Sequence, residues 1–361
     1  MLNKETWLSN QEAPALAVGC VTRKDVTVYM AKNANLHKAK DAKNDEFYTQ
    51  LTDVSKELMH YKQHFKDKII FCNCDDPKWS NFWNYFHLNF SVFGLKKLIS
   101  THYDKNEPTY KMEYTGGDDN DIEVGVKTPL EGNGDFRNKE CLYLLDECDI
   151  VVTNPPFSLF REYVAVLMEH NKKFIIWGNN NAITYKEFFP LLKENKVWLG
   201  YIANKTCVFR LSDEYTKWDE KITKQMNDGH KYGKCHAISV FTNLDIQKRH
   251  EKIILWKNYT SEEFPDFDNY EGINVNKVTD IPCDYNGIMG VPITYLDKHN
   301  PEQFEILGIT CRGYSPEYRT KLYDTEHYEK ANDLNGSGCI LVNGKPKMLY
   351  GRVLIRKKAG A

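Results

Sequence analysis

Asn154-Pro155-Pro156-Phe157 is the stretch whose residue types and order most directly suggest chemistry. Two consecutive prolines fix φ at both positions and remove two amide donors. What remains are outward-facing carbonyls beside a side-chain amide, with a flat aromatic ring next in line. Such a corner accepts hydrogen bonds from an exocyclic NH2 group and stacks on the ring that bears it. Asn154 Oδ1 and the Pro155 carbonyl are the candidate acceptors, Pro156 completes the stiff turn, and Phe157 is the platform. A bare Pro-Pro pair is more often just a turn that ends a strand. Here Asn precedes it, Phe follows it, and the apolar run of residues 148–153 leads straight in.

A motif of this kind needs a sheet to hold it. Leu51, Val54, Leu58, Tyr61 and Phe65 recur at three and four residues and predict an amphipathic helix. Residues 68–72 read as a buried strand. Pro77 reads as the opening of a helix with Trp79, Phe82, Trp83, Phe86 and Phe90 along one side, and residues 95–101 as a second strand. The Gly-, Asp- and Asn-rich stretch 110–134 reads as a loop or small insertion. After the motif, Phe160, Val164, Leu167 and Met168 mark the apolar face of another helix, and residues 33–43 have some helical character. Further strand candidates are 173–177, 197–202, 236–241 and 253–256. Strands alternating with helices predict a parallel sheet covered on both faces, and such open sheets bind ligands beyond the carboxyl ends of their strands.

The chain has 361 residues, which favours two domains. With 48 basic and 50 acidic residues the formal charge is −2, so a polyanion partner has to be held by local basic patches. A hydrophobic fraction of 41% and a charged fraction of 27% exclude wholesale disorder. No apolar run is long enough to cross a bilayer, and no basic leader precedes the short apolar stretch 13–20, so neither a membrane anchor nor a signal peptide is expected. The ten cysteines are scattered without a Cys-x-x-Cys pair. Cys72 and Cys74 have strand-like spacing that would turn both to one face, but a zinc site needs four converging ligands. Reduced thiols, no metal and a cytoplasmic location are the expectation. After about Tyr259 the pattern changes to Pro-, Asp- and Asn-rich segments with short strand-like runs such as 291–296, which marks a second unit.

Asn154-Pro155-Pro156-Phe157 resembles the catalytic motif of S-adenosylmethionine-dependent amino-methyltransferases, mostly those acting on adenine N6 in DNA. Phe47-Tyr48-Thr49 resembles the Phe-Tyr-Thr motif ahead of their cofactor domain, and Asp135-Phe136 their adenine-binding Asp-Phe. Together with Cys72-Asn73-Cys74-Asp75-Asp76-Pro77 and Phe241-Thr242-Asn243-Leu244, these motifs are similar to the EcoRI-type adenine-specific methyltransferase family, from about Asp41 to near the C-terminus. The resemblance implies a Rossmann-like class I α/β fold with a mostly parallel seven-stranded sheet and a smaller C-terminal α+β recognition region. Residues 1–40 would be an extension, 41–259 the catalytic domain and 260–361 the DNA target-recognition region.

It also implies site-specific methylation, with S-adenosylmethionine as cofactor, of a flipped-out adenine in double-stranded DNA, as in restriction-modification or phage DNA modification. A cognate restriction endonuclease acting on the same site is the further partner to expect. For the cofactor the resemblance points to Phe47, Tyr48, Thr49, Asn73, Asp75, Asp104, Asp135, Phe136 and Asn154. The turn after the first strand carries no glycine, a departure from most enzymes of this fold; Asp75 there could accept from an ammonium group, or Asp75 or Asp76 could simply cap the helix that follows. Asp104 is the nearest carboxylate for ribose hydroxyls. Phosphate contacts are sought at Lys345, Lys347, Arg352, Arg356, Lys357 and Lys358, which no acidic residue dilutes, and at Lys217, Lys221, Lys224, Lys231 and Lys234. Tyr314, Tyr318 and Tyr323 near Arg312 and Arg319 suit either recognition or packing. Competing functions are an RNA or protein-glutamine amino-methyltransferase, and an inactive nucleic-acid-binding relative.

Overall fold

The computed structural model describes residues 47–104, 107–211, 223–225 and 229–360. The expected helix at 33–43 and the side chains of Lys217, Lys221 and Lys224 lie outside them.

Eleven strands make one mixed sheet: β1 (Phe47–Thr49), β2 (Ile69–Cys72), β3 (Lys97–Thr101), β4 (Tyr110–Tyr114), β5 (Val126–Pro129), β6 (Ile150–Thr153), β7 (Lys173–Asn179), β8 (Trp198–Leu199), β9 (Lys205–Leu211), β10 (Thr223–Gln225) and β11 (Lys231–Thr242). Their order is β1-β9-β11-β7-β6-β2-β3-β4-β5, with β8 and β10 also paired to β11. Only β7-β6-β2-β3 run parallel to one another. Their apolar side chains are buried on both faces, as a covered parallel sheet requires. The expectation of seven mostly parallel strands is corrected on both flanks. The stretch read as a loop supplies β4 and β5, which extend the sheet antiparallel; edge strands with exposed polar residues carry little apolar alternation to read. Residues 205–211 form a strand that the sequence reading omits.

Four helices matter for the site: α1 (Leu51–Leu58), α2 (Asn81–Leu88), α3 (Lys139–Glu147) and α4 (Phe160–Glu169). In α1 and the tighter turn after it, Val54, Leu58, Tyr61 and Phe65 are fully buried, as their spacing demanded. Helix α2 begins not at Pro77 but after Ser80, whose hydroxyl accepts from the amides of Phe82 and Trp83 (3.2 Å each). Trp79 therefore lies outside the helix and is 45% exposed. The expected strand at 253–256 is absent: the side chain of Gln303 holds both backbone groups of Ile253 (2.8 Å each), while Ile254 and Trp256 face solvent.

Register shows how one flank rises above the rest. Asn179, the last residue of β7, pairs with Ile238 in the middle of β11. The first half of β11 thus stands beyond the carboxyl edge. β9 starts at the same level (Lys205 opposite Ile238) and runs outward, carrying β1 against its outer half. At 3.3 Å per residue this wall rises about 20 Å over the edge. Its base is tied to α1 by Glu57, whose fully buried carboxylate accepts from Tyr201 N (2.9 Å), Ile202 N (2.6 Å) and Tyr61 OH (2.7 Å). A Cβ on Gly200 would come within 2.2 Å of that carboxylate, so only glycine allows the approach.

A second sheet of four strands has the order β12-β13-β17-β14, from β12 (Ile273–Asn274), β13 (Met289–Pro292), β14 (Phe304–Ile309) and β17 (Arg352–Lys357). The hairpin β15 (Cys339–Val342) and β16 (Lys345–Met348) pairs only with itself among the described residues. Of the strand-like run 291–296 only the start is strand; residues 293–298 form a 3-10 turn. One apolar cluster runs from Phe174 and Leu192 beside the large sheet to Phe264, Met289, Tyr295 and Ile355 of the second. No helix among the described residues is long and apolar enough to cross a membrane.

Candidate active site

The chain passes from β2 to β3 on one side and places β6 on the other, so the strand order reverses between β2 and β6. Crevices at such reversals bind ligands in open α/β sheets. Asn154-Pro155-Pro156-Phe157 leaves β6 here. Pro155 is buried, Asn154, Pro156 and Phe157 are half-buried, and Phe157 packs against the core on the α1/α2 face. The Pro156 carbonyl is taken by Leu159 N (2.9 Å), whereas the Pro155 carbonyl accepts no hydrogen bond among the described residues.

The turn after β2 lies alongside and is bonded to the motif strand. Asn73 is buried, and its side-chain oxygen accepts from Cys74 N (2.9 Å) and Thr101 Oγ1 (3.0 Å). That support lets Cys74 take a left-handed backbone (φ 62°), which is how the turn manages without glycine. Cys74 therefore lies beyond the strand, not in alternation with Cys72. The Thr153 hydroxyl sits between the Asn73 carbonyl and Asp75 Oδ2 (2.5 Å to the latter). Asp75, 7% exposed, also accepts from Ser80 and the Asn154 backbone amide. Burial outweighs these bonds and pushes its pKa up to about 7. Neither Asp75 nor Asp76 caps α2, since Ser80 does so; Asp76 accepts instead from Tyr110 OH (2.7 Å) and Lys78 N (3.0 Å).

Two more of the expected residues meet at the end of β3. Asp104 N donates to Asn133 O (3.2 Å), and Gly134, with φ 74°, lies so close to His102 that a Cβ would stand 2.1 Å from its carbonyl. This brings the Asp135 loop beside Asp104. Asp135 is held by Arg137 through two bonds (2.8 and 2.6 Å), and Arg137 reaches on to Glu162 (2.7 Å). Phe136 is buried edge-on against Tyr163. Thr49 is buried in β1 with its hydroxyl unpaired among the described residues, its carbonyl taken by Asn81 Nδ2 (2.8 Å). The side chain of Tyr48 points instead into a cleft of the wall; that of Phe47 lies outside the described residues.

Sequence reasoning missed Thr153, Ser80, Arg137 and Arg210. Thr153 did leave a signal, as a hydroxyl at the end of an otherwise apolar strand. Half of the six basic residues of the C-terminal stretch bond within the fold. Arg352 is buried on Asn274 Oδ1 (3.0 Å), Arg356 pairs with Glu305 (2.6 Å), and Lys357 donates to the Cys283 carbonyl. Lys345 and Lys347 stay exposed on the hairpin. Arg319 and Tyr323 serve packing: Arg319 bonds Tyr270 OH and the Asn335 carbonyl, and Tyr323 OH bonds Asp268 (2.6 Å). The nine described cysteines are free thiols, and no three His, Cys, Asp or Glu side chains among the described residues converge as a metal site.

Comparison with known proteins gives the family. Residues 35–358 match the family described as "Adenine-specific methyltransferase EcoRI". The chain belongs to that family. Among its relatives, the EcoRI-type enzyme "Type II methyltransferase M.EcoRI" of Escherichia coli is 46% identical over 77% of this chain and 90% of its own. "Type II methyltransferase M.MgeORF184P" of Mycoplasma genitalium is 40% identical over 90% and 99%, and "Type II methyltransferase M.MpnI" of Mycoplasma pneumoniae 36% over 89% and 98%. No solved structure matches. As an EcoRI-type methyltransferase the chain is an adenine-specific enzyme that requires a methyl donor, and the reading as an inactive relative falls away.

Proposed function

We propose that this enzyme transfers a methyl group from S-adenosylmethionine to N6 of an adenine flipped out of double-stranded DNA. The observation that carries the reading is the open Pro155 carbonyl beside the Asn154 amide at the strand-order reversal. Adenine N6 is a weak nucleophile because its lone pair is delocalised into the ring. Hydrogen bonds to Asn154 Oδ1 and the Pro155 carbonyl draw the nitrogen toward tetrahedral geometry, localise that pair and orient it. Phe157 supplies a face for the purine. Inside a duplex N6 is out of reach, so the base has to be extruded.

The residues around the corner suit the donor. S-adenosylmethionine supplies a methyl group already activated on a sulfonium, so no nucleophilic side chain is needed. Asp75 accepts from the ammonium of its methionine portion, and the unpaired Thr49 hydroxyl offers a further polar contact. Asn73 acts through its turn, because its side chain is committed to Cys74 and Thr101. Asp104, beside the Asp135 loop, offers its carboxylate to the ribose hydroxyls. Asp135, clasped by Arg137, and Phe136 border the place for the adenine of the donor. Within the eleven strands, β4-β3-β2-β6-β7-β11 with β8 and β9 form the class I core; β4 and β11 run antiparallel to the central four.

Residues 41–259 form the catalytic domain and 260–361 the recognition region in this reading. The enzyme works in the cytoplasm, where DNA is accessible, and a restriction endonuclease of the same site is its natural counterpart. Incubation with labelled donor and DNA, RNA or protein tests the substrate. Label is expected in DNA alone, at adenine N6; label in RNA or protein alone would overturn the reading.

A further inference from the structure

The wall encloses a cleft of about 320 Å³ whose mouth is set by Tyr48, Arg210 and Tyr232 on the strands, His230 at their margin, and Lys78 and Trp79 from the chain that leads out of the β2 turn. Among the described residues no carboxylate lines it. The Arg210 guanidinium lies 4.5 Å from the Trp79 ring and 6.0 Å from that of Tyr48, and its Nε is buried with no hydrogen bond among the described residues. Trp79 and Lys78 are exposed on the facing side. Because the wall rises from the carboxyl edge, the cleft opens on the side of the sheet where Asn154 ends its strand.

Cations with no counter-carboxylate among the described residues, next to aromatic faces, match a phosphodiester with an unstacked base beside it. They do not match the methyl donor, whose sulfonium and ammonium leave it with net positive charge. We infer that this cleft is a second nucleic-acid subsite: Arg210 and Lys78 hold a backbone phosphate of the strand carrying the extruded adenine, and Trp79 stacks on a neighbouring base. The inference rests on the DNA-methyltransferase reading and adds the clamp that would keep the opened strand in place. It reassigns the Tyr48 side chain from donor to strand.

The test measures DNA affinity against salt, with donor affinity alongside, for the full chain and four variants on a methylatable duplex. Each lost phosphate contact flattens the log–log salt dependence by about one unit. Lys78→Ala, at an exposed position that cannot disturb folding, and Arg210→Ala are both expected to show this fall with donor affinity unchanged. Trp79→Ala is expected to weaken duplex binding about tenfold with the salt slope intact, and Trp79→Phe to restore most of it. Unchanged salt slopes in both cation variants overturn the inference, as does a loss confined to donor binding. A wild-type chain that fails to methylate DNA would instead sink the underlying reading.

Discussion

Two turns leave neighbouring parallel strands at the same edge of the sheet, and they are built on opposite plans. The turn after β2 is polar and saturated: Asn73, Asp75, Ser80, Thr101 and Thr153 bond to one another and to the backbone. The turn after β6 is stiffened covalently by two prolines, which need no partners and leave a carbonyl open. Rigidity made from hydrogen bonds uses up acceptors, whereas rigidity made from proline spares them. A site that must grip an NH2 group is better served by the second plan, and the first plan provides the frame it leans on.

Substitutions should separate the plans. Asn154→Ala removes an acceptor from the open turn and is expected to cost at least about 10³ in kcat with DNA binding nearly intact; steady-state kinetics with a filter-binding control measures both. Near-wild-type turnover would break the contrast. Phe157→Ala is expected to lower the fluorescence change of a 2-aminopurine target several-fold.

The saturated turn should respond to pH instead. Burial holds Asp75 protonated up to about pH 7, well above an unfolded carboxyl. Its protonated form therefore favours the fold below about pH 4, and that contribution fades as pH rises through 7. An ammonium ligand needs the carboxylate, so donor affinity is expected to fall about tenfold or more from pH 7.5 to 5.5. Asp75→Asn should bind weakly and lose this pH dependence, which calorimetry at several pH values would read.

The smallest effect belongs to the backbone. Cys74→Gly relieves a left-handed non-glycine residue and is expected to change melting temperature by a few degrees at most, with kcat preserved.

The open turn was legible in the sequence because proline and asparagine act locally. The α1 spacing and the central strands were legible for the same reason, since period and burial coincide there. The saturated turn was not: nothing in Asn73 or Thr153 says that they meet across 80 residues. Nor could the rising wall be read, because its register depends on where Ile238 finds Asn179. The basic C-terminal stretch divides. Its charges are contiguous in sequence, but Arg352 and Arg356 bond within the fold, while Arg210, isolated in sequence, faces a cleft.

Methylation-sensitive sequencing of DNA from a host making the wild-type chain, beside one making Asn154→Ala, puts the open turn to proof. N6-methyladenine at one recurring sequence with wild type, and none with the variant, is the outcome expected. The same methylated sites with both chains would show that the amide of Asn154 does not hold the reacting base.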